Sequence, residues 1–185
     1  SIEKISNIQS RSIELSLLLS IPASLGLILA SEEIVNALFG YGSFTRENIE
    51  MTAGALKYFG YGIPAFALIK ILSNLFFARN NTKTPFYISI FIVLLNIGVS
   101  VIFFNKVGFI IIPIATSIST WFGVIVYMYL LNFKNYLLLK KYLLKNIFKI
   151  ILSTILMSLL LMFFLDHYEA YLDYTHKYKA IYLML

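Results

Sequence analysis

Two stretches of this chain, residues 85–104 and 107–131, hold no charged side chain at all and are separated only by Asn105 and Lys106. A helix needs about 20 mostly apolar residues to cross the hydrocarbon core of a bilayer. Other open backbone structures are excluded there, because their N–H and C=O groups would find no partner. Such runs fix the solvent before they fix the fold. Three further runs qualify, at residues 12–30, 52–77 and 146–165, and residues 180–185 open one more. Composition agrees: 59% of the 185 residues are apolar and 13% charged, where a soluble domain carries roughly 25% charged residues. The chain is predicted to be all-α, a polytopic transmembrane helix bundle with five complete spans and the start of a sixth.

The connecting segments sort by charge. The N-terminal segment and the loops at 79–84 and 132–149 hold Lys4, Arg11, Arg79, Lys83, Lys134, Lys140, Lys141, Lys145 and Lys149 against Glu3 and Glu14. The loops at 31–51, 105–106 and 166–179 hold Arg46, Lys106, Lys177 and Lys179 against Glu32, Glu33, Glu47, Glu50, Asp166, Glu169 and Asp173. Alternation over five spans puts the two sets on opposite sides, and the excess of Lys and Arg marks the first as cytoplasmic. The N-terminus of the chain is therefore predicted to be cytoplasmic. Residues 32–39 show apolar positions at helical spacing and predict a short helix on the outer interface. Residues 137–149 mix Leu clusters with lysines, which reads either as a basic amphipathic segment on anionic lipid or as a simple topology anchor.

Several function classes drop out. With no cysteine, disulfide frameworks and thiolate metal sites are excluded. His167 and His176, near Asp166, Glu169 and Asp173, read as wetted interfacial residues rather than a metal cluster, since no close His pair sits on a rigid helix. The net charge of +6 is spread between apolar spans, so it predicts membrane orientation and no nucleic acid. No nucleophile has a matched base and no glycine loop cradles phosphate, so neither an enzyme nor a cofactor is expected. The chain opens on Ser1 and ends inside an apolar run, which predicts a piece of a longer protein.

Ionisable and amide groups inside lipid are costly and are functional candidates. Lys70 is the clearest, with Asn74 four residues on along the same face and Ser73 beside it. Snorkelling toward the interface competes with a cavity-facing cation as the reading of Lys70. Lys57 reads as an outer-interface anchor on the same span, and Pro64 between the two predicts a kink. Asn96 lies near the middle of the third span, with Ser100 one turn later. Thr116, Ser117, Ser119 and Thr120 read as hydroxyl packing between helices. Thr84 is expected to cap the third span ahead of Pro85.

Three local patterns then converge: Pro22-Ala23-Ser24-Leu25-Gly26-Leu27, Ala37-Leu38-Phe39-Gly40-Tyr41-Gly42-Ser43-Phe44, and Phe76-Phe77-Ala78-Arg79-Asn80-Asn81-Thr82-Lys83-Thr84-Pro85. Their order and spacing resemble the second half of the MurJ/MviN family, within the multidrug/oligosaccharidyl-lipid/polysaccharide exporter superfamily. Phe77 stands where that family usually has tyrosine. Gly108 followed by Ala115-Thr116-Ser117 resembles a later family span. The resemblance covers residues 12–131; beyond them only hydropathy and topology match.

The resemblance implies part of a fourteen-helix, two-lobe transporter in the bacterial cytoplasmic membrane. It implies translocation of lipid II, the undecaprenyl-pyrophosphate-linked peptidoglycan precursor, with membrane lipids and a missing N-terminal lobe as partners. It also implies that residues 146–165 wall a groove for the lipid tail. For such a substrate, the residues read above leave Lys70, Asn74, Arg79, Lys83 and Asn96 as the substrate-binding candidates; the family's cavity arginines are absent from this chain. The alternatives are another exporter of the superfamily, against which the 79–85 stretch argues, and an inactive fragment.

Overall fold

A computed structural model describes residues 2–169, and among them the secondary structure is helical throughout. The helices are α1 (Ile2–Leu29), α2 (Ser31–Phe39), α3 (Arg46–Gly60), α4 (Ile63–Phe77), α5 (Lys83–Val107), α6 (Ile111–Phe133) and α7 (Tyr142–Glu169), with a single 3-10 turn over Gly108–Ile110. The run predicted over 180–185 lies outside the described residues, as do His176 and Asp173.

Among the described residues four helical stretches are long and apolar enough to cross a membrane: Ile2–Leu29, Arg46–Phe77, Lys83–Phe133 and Tyr142–His167. The third folds back on itself. Gly108 takes φ +74°, a left-handed conformation that favours glycine, and α5 and α6 then run antiparallel. Asn96 Nδ2 donates to Thr116 Oγ1 at 2.8 Å across this hairpin.

The core lies where α1, α4 and α6 meet. Leu72, Phe76 and Leu131 are fully buried there, with Tyr127 at 1% exposure. Phe76 packs a tilted ring on Tyr127 and an edge on Tyr136. Outside this seam the helices present apolar side chains outward, as lipid-facing helices do: Val101, Ile102 and Leu144 are all exposed.

Local chemistry sets the helix ends. Asn80 and Asn135 adopt φ +55° and +54°, and the amide after each reaches back five residues. Asn81 N–H donates to Phe76 O, and Tyr136 N–H to Leu131 O. Both α4 and α6 therefore end in an asparagine version of the left-handed Schellman cap. At the start of α5, Asn81 Oδ1 accepts the Thr84 N–H at 3.1 Å, so the cap predicted at Thr84 belongs to Asn81.

Two further expectations change. α1 begins at Ile2, well before residue 12, because Gln9 and Ser10 are buried against the segment after α6 rather than exposed to water. The predicted amphipathic segment over 137–149 is not one element. Residues 136–141 are non-helical and α7 starts at Tyr142, so Lys145 and Lys149 belong to a long helix. Gln9 Oε1 takes the Leu138 N–H at 2.8 Å and Ser10 Oγ the Lys140 N–H at 2.9 Å, so these amides are paired outside any helix. The short helix predicted over 32–39 is present as α2.

Candidate functional site

The second predicted span is one helical stretch, Arg46–Phe77, whose hydrogen-bond ladder is interrupted next to Pro64, where a kink was predicted. α3 ends at Gly60 and α4 starts at Ile63, so the break falls at Tyr61–Gly62, ahead of Pro64. Pro64 has no N–H to offer Gly60 O, four residues before it. Gly62 N–H turns to Phe59 O instead of Tyr58 O. In a bilayer such freed carbonyls need partners from neighbouring helices. Ser24 Oγ of α1 donates to Gly60 O at 2.7 Å, Ser117 Oγ of α6 to Tyr58 O at 2.6 Å, and Trp121 Nε1 of α6 to Tyr61 O at 2.9 Å. With the serine hydroxyls turned to backbone, the groove of about 570 Å³ beside the break is walled mainly by Leu25, Ile28, Pro64, Ile118 and Phe122.

Below the break, α4 buries Ala65, Leu72 and Phe76 on one side and exposes Phe66, Lys70, Asn74 and Phe77 on the other. That spacing is one helical stripe. Neither the Lys70 ammonium nor the Asn74 amide has a partner among the described residues; Ser73 Oγ bonds back to Lys70 O within the helix. The stripe carries one cation and one amide, with Phe66 and Phe77 at its two ends.

The other candidates separate from it. Arg79 is turned inward. Its Nη1 donates to Leu75 O at 2.7 Å, its Nη2 to Tyr136 O at 3.2 Å, and its guanidinium lies 4.3 Å from the centroid of the Tyr136 ring. Gln9 Nε2 donates to the same carbonyl at 3.0 Å. The N-terminal segment and the loops after α4 and α6 are thereby tied at one end of the bundle, the end that carries the basic residues. Lys83 is exposed at the start of α5. Asn96 is engaged in the hairpin, donating to Thr116 and accepting from Ser100 Oγ at 3.4 Å. Glu14 accepts from Asn146 Nδ2 of α7 at 3.0 Å. Among the described residues no His, Asp or Glu group is arranged to hold a metal ion.

The residues that sequence reasoning missed are Gln9, Ser24 and Trp121. Each answers a backbone carbonyl or amide far away in sequence, so only Pro64 and the flanking glycines hinted that such donors were needed.

The family described as "Lipid II flippase MurJ" matches residues 2–183. The chain belongs to this family. Among curated MurJ relatives, the probable lipid II flippase MurJ of Rickettsia prowazekii (strain Madrid E) is 38% identical over 116 residues, which are 63% of this chain and 23% of that protein. The Rhizobium tropici protein of the same name is 36% identical over 124 residues, covering 67% of this chain and 23% of the relative. The lipid II flippase MurJ of Thermosipho africanus (strain TCF52B) is 32% identical over 142 residues, 77% and 28% of the two chains. The chain thus spans about a quarter of the length of the MurJ proteins it matches. A solved structure of lipid II flippase MurJ in an inward closed conformation superposes with a TM-score of 0.79 at 24% identity, covering 98% of this chain and 36% of that one. That likeness carries the fold: an all-helical membrane bundle corresponding to part of a MurJ structure.

Proposed function

We propose that this chain is the C-terminal section of a two-lobe flippase that moves lipid II across the bacterial cytoplasmic membrane, and that it acts only together with the rest of that protein. Its membership of the MurJ family supports the reading. The observation that carries it within the chain is the α4 stripe, where Lys70 and Asn74 face outward without partners on a membrane-length helical stretch. A pyrophosphate entering a membrane protein needs cations and amide donors in a wet cavity, and an ammonium here meets that need. Lys83 and the basic end meet the headgroup before entry. Arg79 serves mainly to set the loop geometry behind them. The excess of Lys and Arg puts this end, with the N-terminus, in the cytoplasm.

The test is complementation in a bacterium depleted of its own lipid II flippase. The chain alone is expected to fail, and the chain with its preceding lobe to rescue growth. Lys70→Ala in the rescuing protein removes a charge-assisted phosphate contact of about 1.5–3 kcal/mol, roughly ten- to a hundredfold in substrate affinity. Lys70→Arg should keep most of the activity. Full rescue by the Lys70→Ala protein at normal membrane levels would remove the ammonium from the transport path. Rescue by the chain alone would overturn the need for a second lobe.

A further inference from the structure

α1 and α4 lie antiparallel and are level at two points. Ser24 of α1 meets Gly60 O at the interrupted ladder, and Gln9 and Arg79 share Tyr136 O at the basic end. Counted down from Ser24 and Gly60 at about 1.5 Å per residue, Ser12 falls between Lys70 and Asn74 in height, about 3 Å from each. Ser16 falls about 3 Å from the level of Lys70.

The core and the apolar groove both lie between α1 and α6, on one face of α4. Lys70 and Asn74 turn away from that face: at about 100° per residue they stand roughly 140–180° from Ala65 and Leu72. On α1, Ser12 and Ser16 stand roughly 140–180° from Leu25, which lines the groove. All four side chains therefore open onto the other side of the α1–α4 seam. Ala67, on the same strip of α4 as Lys70 and Asn74, leaves a shallow valley there.

Hydroxyls elsewhere in these helices close on a carbonyl of their own helix, Ser89 on Pro85 O, Thr154 on Ile150 O and Ser158 on Ile155 O. Ser12 and Ser16, both half-buried, have no partner among the described residues. One turn above them Ser20 Oγ, on a side chain at 6% exposure, also lacks a hydrogen-bond partner. Three successive turns of α1 thus hold free hydroxyls beside the free ammonium and amide of α4. Glu14, the carboxylate at this height on α1, is engaged with Asn146 on the α7 side.

We infer that Ser12 and Ser16, across the valley from Lys70 and Asn74, contact the sugar part of the transported lipid's headgroup. The inference rests on the flippase function proposed for this chain. Serine hydroxyls and the Asn74 amide both donate and accept hydrogen bonds, as sugar hydroxyls do, whereas a phosphate only accepts. The single cation suits the phosphate that joins the sugar to its lipid. An acyl chain in the valley would leave all of these groups unpaired.

Native mass spectrometry of the protein formed by this chain and its preceding lobe tests the assignment, with lipid II and undecaprenyl pyrophosphate, which lacks the sugars, as separate probes. Each hydroxyl removed should weaken lipid II binding about threefold, so S12A/S16A should bind it about tenfold more weakly. The same variant should hold undecaprenyl pyrophosphate as the parent does, which also shows that it is folded. S12T/S16T keeps both hydroxyls and should bind lipid II like the parent, as should the control S31A, whose hydroxyl is turned to Ile28 O. Unchanged lipid II affinity in S12A/S16A, or an equal loss of both ligands, would overturn the inference. Lys70→Ala separates this result from the flippase reading. It should weaken both ligands, and if it weakens neither, the cation of that reading fails while a serine effect confined to lipid II still stands.

Discussion

The broken helix between α3 and α4 makes a quantitative prediction about Ser24. Its hydroxyl is buried at 5% exposure and donates to Gly60 O, the carbonyl that Pro64 leaves without a helical partner. Ser24→Ala strands that carbonyl. Hydrogen bonds between membrane helices average about 0.6 kcal/mol and reach about 1.7, while a buried acceptor left unmade costs about 1–3 kcal/mol. Alanine returns a few tenths as the better helix former. The expected net loss is about 1–2 kcal/mol, read as a shift in the SDS unfolding midpoint of the full chain in mixed micelles. The decisive measurement is a double-mutant cycle with Pro64→Ala. An alanine at 64 supplies an N–H four residues after Gly60, so the carbonyl regains a donor without Ser24. In that background Ser24→Ala should cost less than about 0.5 kcal/mol, a coupling of about 1 kcal/mol. An equal cost of Ser24→Ala in both backgrounds would refute the assignment of Ser24 as the substitute donor.

Other perturbations follow from the same contacts. Arg79→Lys keeps the charge but cannot fork to Leu75 O and Tyr136 O while lying on the Tyr136 ring, so it should lose about 1–3 kcal/mol and speed proteolysis within 134–141. Unchanged cleavage would show that Arg79 does not hold this loop. A Cβ at Gly123 would collide with the Ile92 side chain, at Cδ1 and Cγ1. Gly123→Leu should therefore cost about 1–3 kcal/mol of overpacking, with much of it recovered by Ile92→Ala. The absence of native cysteine makes topology directly readable. Lys83→Cys and Lys141→Cys should be labelled only from the cytoplasm, and Tyr41→Cys and Lys106→Cys only from outside, a reversed pattern sinking the orientation proposed here.

What the sequence made legible was whatever depends on one segment at a time. Apolar runs located the membrane-length helices, and the charge sorting of the loops grouped segments that the structure ties together through Tyr136 O. The serine and threonine cluster on α6 read correctly as packing: Thr116 binds Asn96, and Ser117 binds Tyr58 O. Contacts across long separations stayed hidden. Pro64 signalled the interruption of the ladder, but not the three side-chain donors on other helices that answer the carbonyls around it. Arg79 looked like a headgroup cation because the carbonyl that engages it lies 57 residues away. Lys70 and Asn74 remained visible as candidates because no other part of the described chain meets them.

The three-residue turn at Gly108–Ile110 bears on how the protein is made. Residues 83–133 emerge from the ribosome as one apolar stretch whose connection carries a single cation, Lys106. Almost no hydrophilic loop has to cross the bilayer when the second arm follows the first. The two arms can partition from the translocation channel as a closed hairpin, with Asn96 and Thr116 already shielding each other from lipid. A longer polar insertion at Gly108 would divide that single insertion event into two, and Asn96 would enter the membrane with its amide bare.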